Sequence, residues 1–256
     1  MPRRRRRTAS KDRTLKVLPL GGLGEIGKNM LVLETADDIV VIDAGVLFPA
    51  LEMMGVDVVI PNTDYLVERA DKVRAILITH GHEDHVGALP YVLRHVNAPV
   101  YAPRMASAII RARLREHRRL AETELHEISP GDTVDVGALH AEWFSVNHSI
   151  PDSTGIAIDT PAGTVIHTGD FKIDHDPMIG DPFDYATLAR IASRGVFLLL
   201  SDSTYAETEG SSGSDRVVAE SLFKLIGEAT GRVFVASFAS QIARVQIVVD
   251  SAEAHG

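Results

Sequence analysis

Residues 75–85 read "AILITHGHEDH", an apolar run that discharges into three histidines and two carboxylates. No other stretch constrains the chain as much. A short apolar run bounded by polar residues reads as a buried strand. Imidazoles and carboxylates do not gather behind such a strand for packing reasons, because each must find a partner once water is removed. His80 and His82, two apart in a loop, can fold onto one metal ion, while Asp84 and His85, at the start of the next helix, can point to a second. Two ions need more donors. Candidates lie at the ends of later strand-like runs, His148 in "SVNHSIPDSTG" and Asp170 in "IHTGDFKID". The chain has no cysteine, which excludes disulfides, thiolate zinc sites and cysteine nucleophiles and leaves histidine and carboxylate as the strong ligands.

Around this loop, β-like runs ("LKVLPL", "NMLVLET", "DIVVIDAG", "PVYA", "LHAEWFSV", "TGIAIDT", "GTVIHTG", "VFLLLSD", "RVFVASF") alternate with segments of helical spacing at 89–95, 104–120, 185–193 and 217–229. This is α/β material. Short turns at Asp37-Asp38 and Ala162-Gly163 imply antiparallel neighbours, whereas helical connections imply parallel ones. A mixed sheet, or two sheets with helices outside, is expected. With 256 residues and 45% apolar content, the chain has material for one large domain or one and a half. The strand-then-helix pattern of "RVFVASF" and "SQIARVQIVVDSAEAHG" reads as the opening of a second domain, after the linker-like "EGSSGSD".

Apolar runs such as "GVFLLL" fall well short of the ~20 residues that cross a bilayer. No membrane segment is expected, and the protein is read as cytoplasmic. The net charge of −9 divides unevenly. Eight of the 26 basic residues and one of the 35 acidic residues lie in the first sixteen, so the remainder carries a balance of −16. The run "MPRRRRR" reads as part of a basic disordered tail over 1–14, able to attract phosphates by counterion release.

Gly22, Gly24 and Gly27 in "PLGGLGEIGKN" match the glycine spacing of a dinucleotide site, with Asp43 further on. That site needs a helix opening at the glycines so that its N–H groups face a pyrophosphate. The chain continues instead into the β-rich "NMLVLETADDIVVID", so the glycines are expected to form a loop that passes close to backbone or ligand.

The "THGHEDH" loop, His148, "HTGD" and Asp43 in "VIDAG" together resemble the metallo-β-lactamase superfamily, a sandwich of two sheets flanked by helices. Within it, "PLGGLGEIGKNM", "DVVIPNTDYL", "HGHEDHVGALPYVL", "NHSIPDSTGIAI", "HTGDFK" and "GRVFVASFASQIARVQ" are similar to the ribonuclease J family of the β-CASP group. The resemblance implies an αββα metallo-β-lactamase domain over 15–205 and the beginning of a β-CASP α/β domain over 206–256. It makes His80, His82 and His148 ligands of one zinc and Asp84 and His85 ligands of another. Asp170 bridges the pair, and Asp43 orients the ligand loop from behind. Manganese is a possible substitute for zinc. Asp202 in "LLLSDSTYAE" matches the acidic residue that opens the β-CASP signature, a catalytic position in the family alongside the metal-bound Asp84.

The implied activity is zinc-dependent hydrolysis of RNA, as 5′-to-3′ exonuclease and endonuclease, by a protein that is homo-oligomeric at full length. Weaker expectations are RNA contacts from Ser240 and Arg244, and a basic guiding face formed by Arg111, Arg115, Arg118 and Arg119. The sequence departs from the family in one respect: after Asp170 the histidines are His175 and His255, and Ala243 stands where the family often has a histidine. The chain is therefore read as an N-terminal portion that binds metal, with a weaker second metal site, and is weakly active or inactive as a nuclease by itself. The same metal chemistry also serves lactones and thioesters, so a small-molecule metallo-hydrolase and a non-catalytic, metal-loaded RNA-binding module remain the alternatives.

Overall fold

The computed structural model describes residues 13–180, 182–211 and 213–256. The basic run up to Asp12 lies outside the described residues. Eleven strands are described. β1 (Lys16–Gly21), β2 (Met30–Glu34), β3 (Ile39–Ile42), β4 (Val73–Leu77), β5 (Val100–Pro103) and β6 (Leu125–Ile128) form a six-stranded sheet in sequence order. β7 (Thr133–Val136), β8 (Leu139–Ser145), β9 (Thr154–Thr160), β10 (Gly163–His167) and β11 (Leu198–Leu200) form a five-stranded sheet, likewise in order. The hairpins expected at Asp37-Asp38 and Ala162-Gly163 join the antiparallel pairs β2/β3 and β9/β10. β3 to β6 run parallel, as do β10 and β11.

Period-two alternation decides the layers. Leu33, Val40, Ile42 and Leu77 from the first sheet meet Trp143, Ile156, Ile158 and Val165 from the second in a buried inner core. The opposite face of the first sheet, with Val32, Val41 and Ile76, packs on Leu66 of α1 (Asp64–Val67), Val86 of α2 (Glu83–Val86), Leu89 and Val92 of α3 (Leu89–Val92) and Ile110 and Leu114 of α4 (Arg104–Glu116). The outer face of the second sheet, with Phe144, Ala157 and Ile166, packs on Ile191 of α5 (Tyr185–Ala192). The result is the expected αββα sandwich. Asp38, buried at the β2–β3 turn, pins the sheets together at one end, accepting from Arg74 Nε of β4 and, at 2.8 Å, from the Ala138 N–H between β7 and β8.

Two helices come after the sandwich, α6 (Asp215–Glu228) and α7 (Ile242–His255), and they pack on each other. Ser214 caps α6, and the buried Asp174 receives the Asp215 N–H and the Ser214 hydroxyl at 3.2 Å each. The Asp176 N–H, which donates to Asp174 Oδ1 at 3.0 Å, together with these donors and the nearby Lys172, outweighs the effect of burial and holds the Asp174 carboxyl below its usual range.

Two local expectations fail. The run "RVFVASF" (232–238) forms no strand and belongs to no sheet. A strand exists through its ladder partner, and β propensity alone supplies none. The four arginines do not make one helical face. α4 ends at Glu116, Arg118 is left-handed (φ 56°), and Arg119 turns back to donate to Leu93 O at 3.0 Å and to pair with Glu122.

Candidate metal centre

Every donor named from the sequence sits just past the C-terminal end of a strand, on one rim of the sandwich, where ligands of open α/β sheets are bound. β3 and β4 are parallel neighbours, so the chain leaves both strands side by side: the Asp43 N–H bonds Leu77 O at 2.9 Å. Asp43 is left-handed (φ 59°) and buried. Its carboxylate accepts from the Thr79 N–H and the Thr79 hydroxyl, each at 2.8 Å, and from His85 Nδ1 at 2.8 Å. Beyond Thr79 come His80, Gly81 and His82, then the short helix α2 (Glu83–Val86) that presents Asp84 and His85.

α2 is clamped from below. The N–H groups of Ala44 and Val46 donate to the carbonyls of His85 and Glu83 at 2.7 and 3.0 Å, and the Asn29 N–H donates to Asp84 O at 3.0 Å. The strap must pass very close here: a Cβ built on Gly45 would fall 1.5 Å from Asp84 O. Glu83 points away and pairs with Arg113 of α4, its Oε1 accepting from Arg113 Nε at 2.9 Å. The second sheet adds His148 beyond β8, Asp170 beyond β10 and Asp202 beyond β11. Thr154, at the start of β9, ties the two sheets together at this rim by donating from N–H and Oγ1 to Thr79 O at 3.0 and 2.7 Å.

His80 Nε2 and His148 Nε2 each lie 3.1 Å from His82 Nδ1. Burial, reinforced by the neighbouring imidazoles, drives His80 well below the ordinary histidine range. Burial also brings His148 to about 4 and lowers His82. Three neutral imidazoles thus converge their ring nitrogens on one point. The remaining nitrogen of His80 faces the Thr79 hydroxyl at 3.0 Å, and that of His82 faces Ser240 O at 3.4 Å. This is the arrangement by which ligand histidines are oriented. A metal ion fits the donor set chemically, since His80, His82 and His148 offer three nitrogen donors to one tetrahedral ion.

A second group of donors comprises His80, His85 and Asp170. One imidazole nitrogen binds one ion, so with His80 committed to the first point, His85 and Asp170 are left for the second. Asp84 stands at its edge, its Oδ2 3.6 Å from His85 Nε2. Asp170 lies between the points, with Oδ1 3.4 Å from His85 Nε2 and Oδ2 3.8 Å from His148 Nε2. Burial alone would raise the Asp170 carboxyl, but His85 and the other imidazoles hold it at about 2. Burial likewise opposes a charge on His85, and Asp43 with Asp170 outweighs it, so His85 titrates well above the usual range. Its Nε2 therefore binds either a proton or a metal ion.

The six ligand candidates and Asp43 lie together at this rim. Asp202 joins them in the wall of the adjoining cavity, its carboxylate accepting from the Phe171 and Thr204 N–H groups at 3.4 and 2.8 Å. Gly22 to Gly27 form a loop in the same wall and open no helix. Ser240 reaches the site only through its carbonyl, and Arg244 lies in the first turn of α7.

Three residues had no assigned role in the sequence. Thr79 orients His80. Asn29 donates its amide to Asp84 Oδ2 at 3.2 Å, and the same nitrogen lies 3.0 Å from His85 Nε2. His167 is a partly buried imidazole, lowered by desolvation, whose Nδ1 accepts from the Gly169 N–H at 3.1 Å. The signal for Asn29 was its place after the glycine loop, and for His167 its place in "HTGD".

The fold and the converging donors define a class, and comparison with known families agrees. Residues 23–209 match the metallo-β-lactamase superfamily, and the chain belongs to it. In particular, the chain is similar to ribonuclease J of Thermus thermophilus, 44% identical over 94% of this chain and 44% of that protein. It is 45% identical to ribonuclease J of Corynebacterium glutamicum over 94% of this chain and 33% of that protein. Ribonuclease J2 of Bacillus subtilis is 40% identical over 94% of this chain and 44% of its own length. The chain thus spans less than half the length of these relatives. A crystal structure of an Enterococcus faecalis protein of unknown function aligns with TM-score 0.68 at 16% identity, covering 92% of this chain and 63% of that one, a likeness of fold alone.

Proposed function

We propose that this chain forms the metal centre of a ribonuclease that hydrolyses RNA phosphodiester bonds, as a 5′-to-3′ exonuclease and an endonuclease, with two zinc ions as cofactor and manganese as a substitute. The observation that carries the reading is the convergence of six donor side chains from three strand ends, in a chain 44% identical to a ribonuclease J. In this proposal His80, His82 and His148 hold one ion, Asp84 and His85 hold the other, and Asp170 is shared. Ions bound there supply a hydroxide at neutral pH and offset charge growing on a phosphoryl group.

The remaining roles fall to the chain's own residues. Asp43 and Thr79 fix the faces that His80 and His85 present. Asp84, besides holding an ion, stands at the reacting phosphate. Asp202 serves the proton that goes to the leaving oxygen, its carboxylate held in the cavity wall by two N–H donors. Ser240 and Arg244 approach the RNA from the His82 side, a placement supported by the Ser240 carbonyl at 3.4 Å. The metallo-β-lactamase domain is taken as 15–205 and the start of a β-CASP domain as 206–256. The family match ending at residue 209 supports that boundary. A cytoplasmic site of action fits a cysteine-free chain in which, among the described residues, no helix is long and apolar enough to cross a membrane.

The test is hydrolysis of a 5′-monophosphorylated single-stranded RNA, assayed beside a lactone and a thioester, with zinc or manganese supplied. RNA cleavage that disappears in His80→Ala and in Asp170→Ala supports the reading. Turnover of the lactone or thioester without RNA cleavage would replace it with a small-molecule hydrolase. RNA binding with no cleavage of any substrate would replace it with a binding module.

A further inference from the structure

The cavity beside the metal centre has a volume of about 670 Å³, within the range of small-ligand sites. One side carries the chemistry: Asp84, His85, Asp170 and Asp202. Elsewhere in its lining stand apolar side chains that take no part in holding metal, beside Glu25, which pairs with Lys28 at 3.1 Å. Leu23 and Ile26, in the glycine loop, are 75% and 79% exposed, and Tyr205, three residues past Asp202, is 82% exposed. Among the described residues no ring stacks on Tyr205 and no group hydrogen-bonds its hydroxyl. Its backbone is left-handed (φ 60°), a rare conformation for a bulky residue. The turn that holds it is tied to the site, since the Thr204 N–H donates to Asp202 Oδ1 and the Thr208 N–H donates to Tyr205 O at 2.9 Å. Strained, solvent-facing side chains of this kind cluster where ligands are handled.

We infer that Tyr205 is the stacking platform of a nucleobase subsite, with Leu23 and Ile26 as the apolar lip of the same cavity. It receives one unpaired base of the RNA strand whose phosphate lies at the metal centre. The inference rests on the ribonuclease reading and deepens it. An aromatic face accepts any base by its π surface, which suits an enzyme that moves along a strand without reading its sequence. Duplex RNA cannot use the subsite, because its bases are already stacked. The subsite therefore selects single-stranded substrate. The glycines set the lip. Gly22 and Gly27 have φ of 87° and 116°, and a Cβ on either would collide with Asn29 or Leu47. The loop is thus held in a form that leaves Leu23 and Ile26 outward.

The experiment measures equilibrium binding and steady-state hydrolysis of a short single-stranded RNA by the wild-type chain, Tyr205→Ala and Tyr205→Phe. It adds a series of RNAs carrying one abasic nucleotide at successive positions. Stacking of a single base predicts that Tyr205→Ala raises Kd and KM about 5- to 150-fold, with kcat changed far less, while Tyr205→Phe stays close to wild type. One abasic position should weaken the wild type by a similar factor and cost Tyr205→Ala nothing further. Wild-type affinity in Tyr205→Ala, an equal loss in Tyr205→Phe, or a uniform response to the abasic series overturns the subsite. The wild-type series alone decides the matter if Tyr205→Ala does not fold. A wild-type chain that hydrolyses RNA without regard to Tyr205 removes the subsite and leaves the ribonuclease reading intact. A chain that takes up zinc and neither binds nor cleaves RNA removes both.

Discussion

Replacing Asp43 with asparagine tests how the rim is held. Asparagine tolerates the left-handed backbone almost as well as aspartate, so the change isolates charge from strain. The native carboxylate accepts three bonds of 2.8 Å, from the Thr79 N–H, the Thr79 hydroxyl and His85 Nδ1. The amide keeps one acceptor oxygen and turns an NH2 toward the other donors. At least one charge-assisted bond is lost, worth about 1.5–3 kcal/mol, so urea denaturation of the metal-free protein should show a loss of about 2 kcal/mol with an unchanged m-value.

Metal binding should suffer selectively. Loss of an orienting carboxylate typically weakens a metal site about 10- to 100-fold, and here the loss falls on the point containing His85. The pH dependence carries the sign. His85 titrates above its ordinary value in the fold, so its pairing with Asp43 stabilises the metal-free protein fully below about pH 6.5. That contribution fades as pH rises through the folded value. Asp43→Asn should flatten this slope. Native stability, native pH slope and native affinity at both points in the variant would show that Asp43 does not hold the rim.

Other perturbations reach different parts of the molecule. Gly45→Ala places a methyl group against Asp84 O, 1.5 Å from the ideal position, and should cost ~3 kcal/mol or more, read as a fall in Tm, with weaker metal binding. Asp174→Asn removes the carboxylate at the start of α6. Because the folded carboxyl lies below its usual value, that stability is present above about pH 4 and lost as pH falls through the folded value, so the variant should differ from wild type near neutrality and converge with it in strong acid. Chelation of metal from the wild type should lower Tm, and re-addition of zinc should restore it in proportion to RT ln(1 + [L]/Kd).

Much of the fold and the site was legible in the sequence because the chemistry was local. The "THGHEDH" loop held four donors within six residues behind an apolar strand, and His148 and Asp170 each came just after a strand-like run. Short turns and helical connections pointed to a mixed sheet or to two sheets, and the family resemblance supplied the sandwich. Asn29 and His167 were harder, since each acts on its partners through contacts that no spacing encodes. The "RVFVASF" run misled because strand identity depends on a ladder partner, and the arginine pattern misled because a left-handed Arg118 and the pull of Leu93 O stopped the helix early. Glycine spacing alone could not separate a pyrophosphate loop from this one. The β-rich continuation did so, and the structure agrees.

One rim carries two metal points in this reading, the first built on His80, His82 and His148 and the second on His85 with Asp170 and Asp84. Zinc titration of the wild-type chain by calorimetry, beside His80→Ala and His85→Ala, probes that arrangement without recourse to activity. Two binding events of unequal affinity are expected in the wild type, with loss of the tighter one in His80→Ala and loss of the weaker one in His85→Ala. A single event, or two events that survive both substitutions, would contradict the two-point rim.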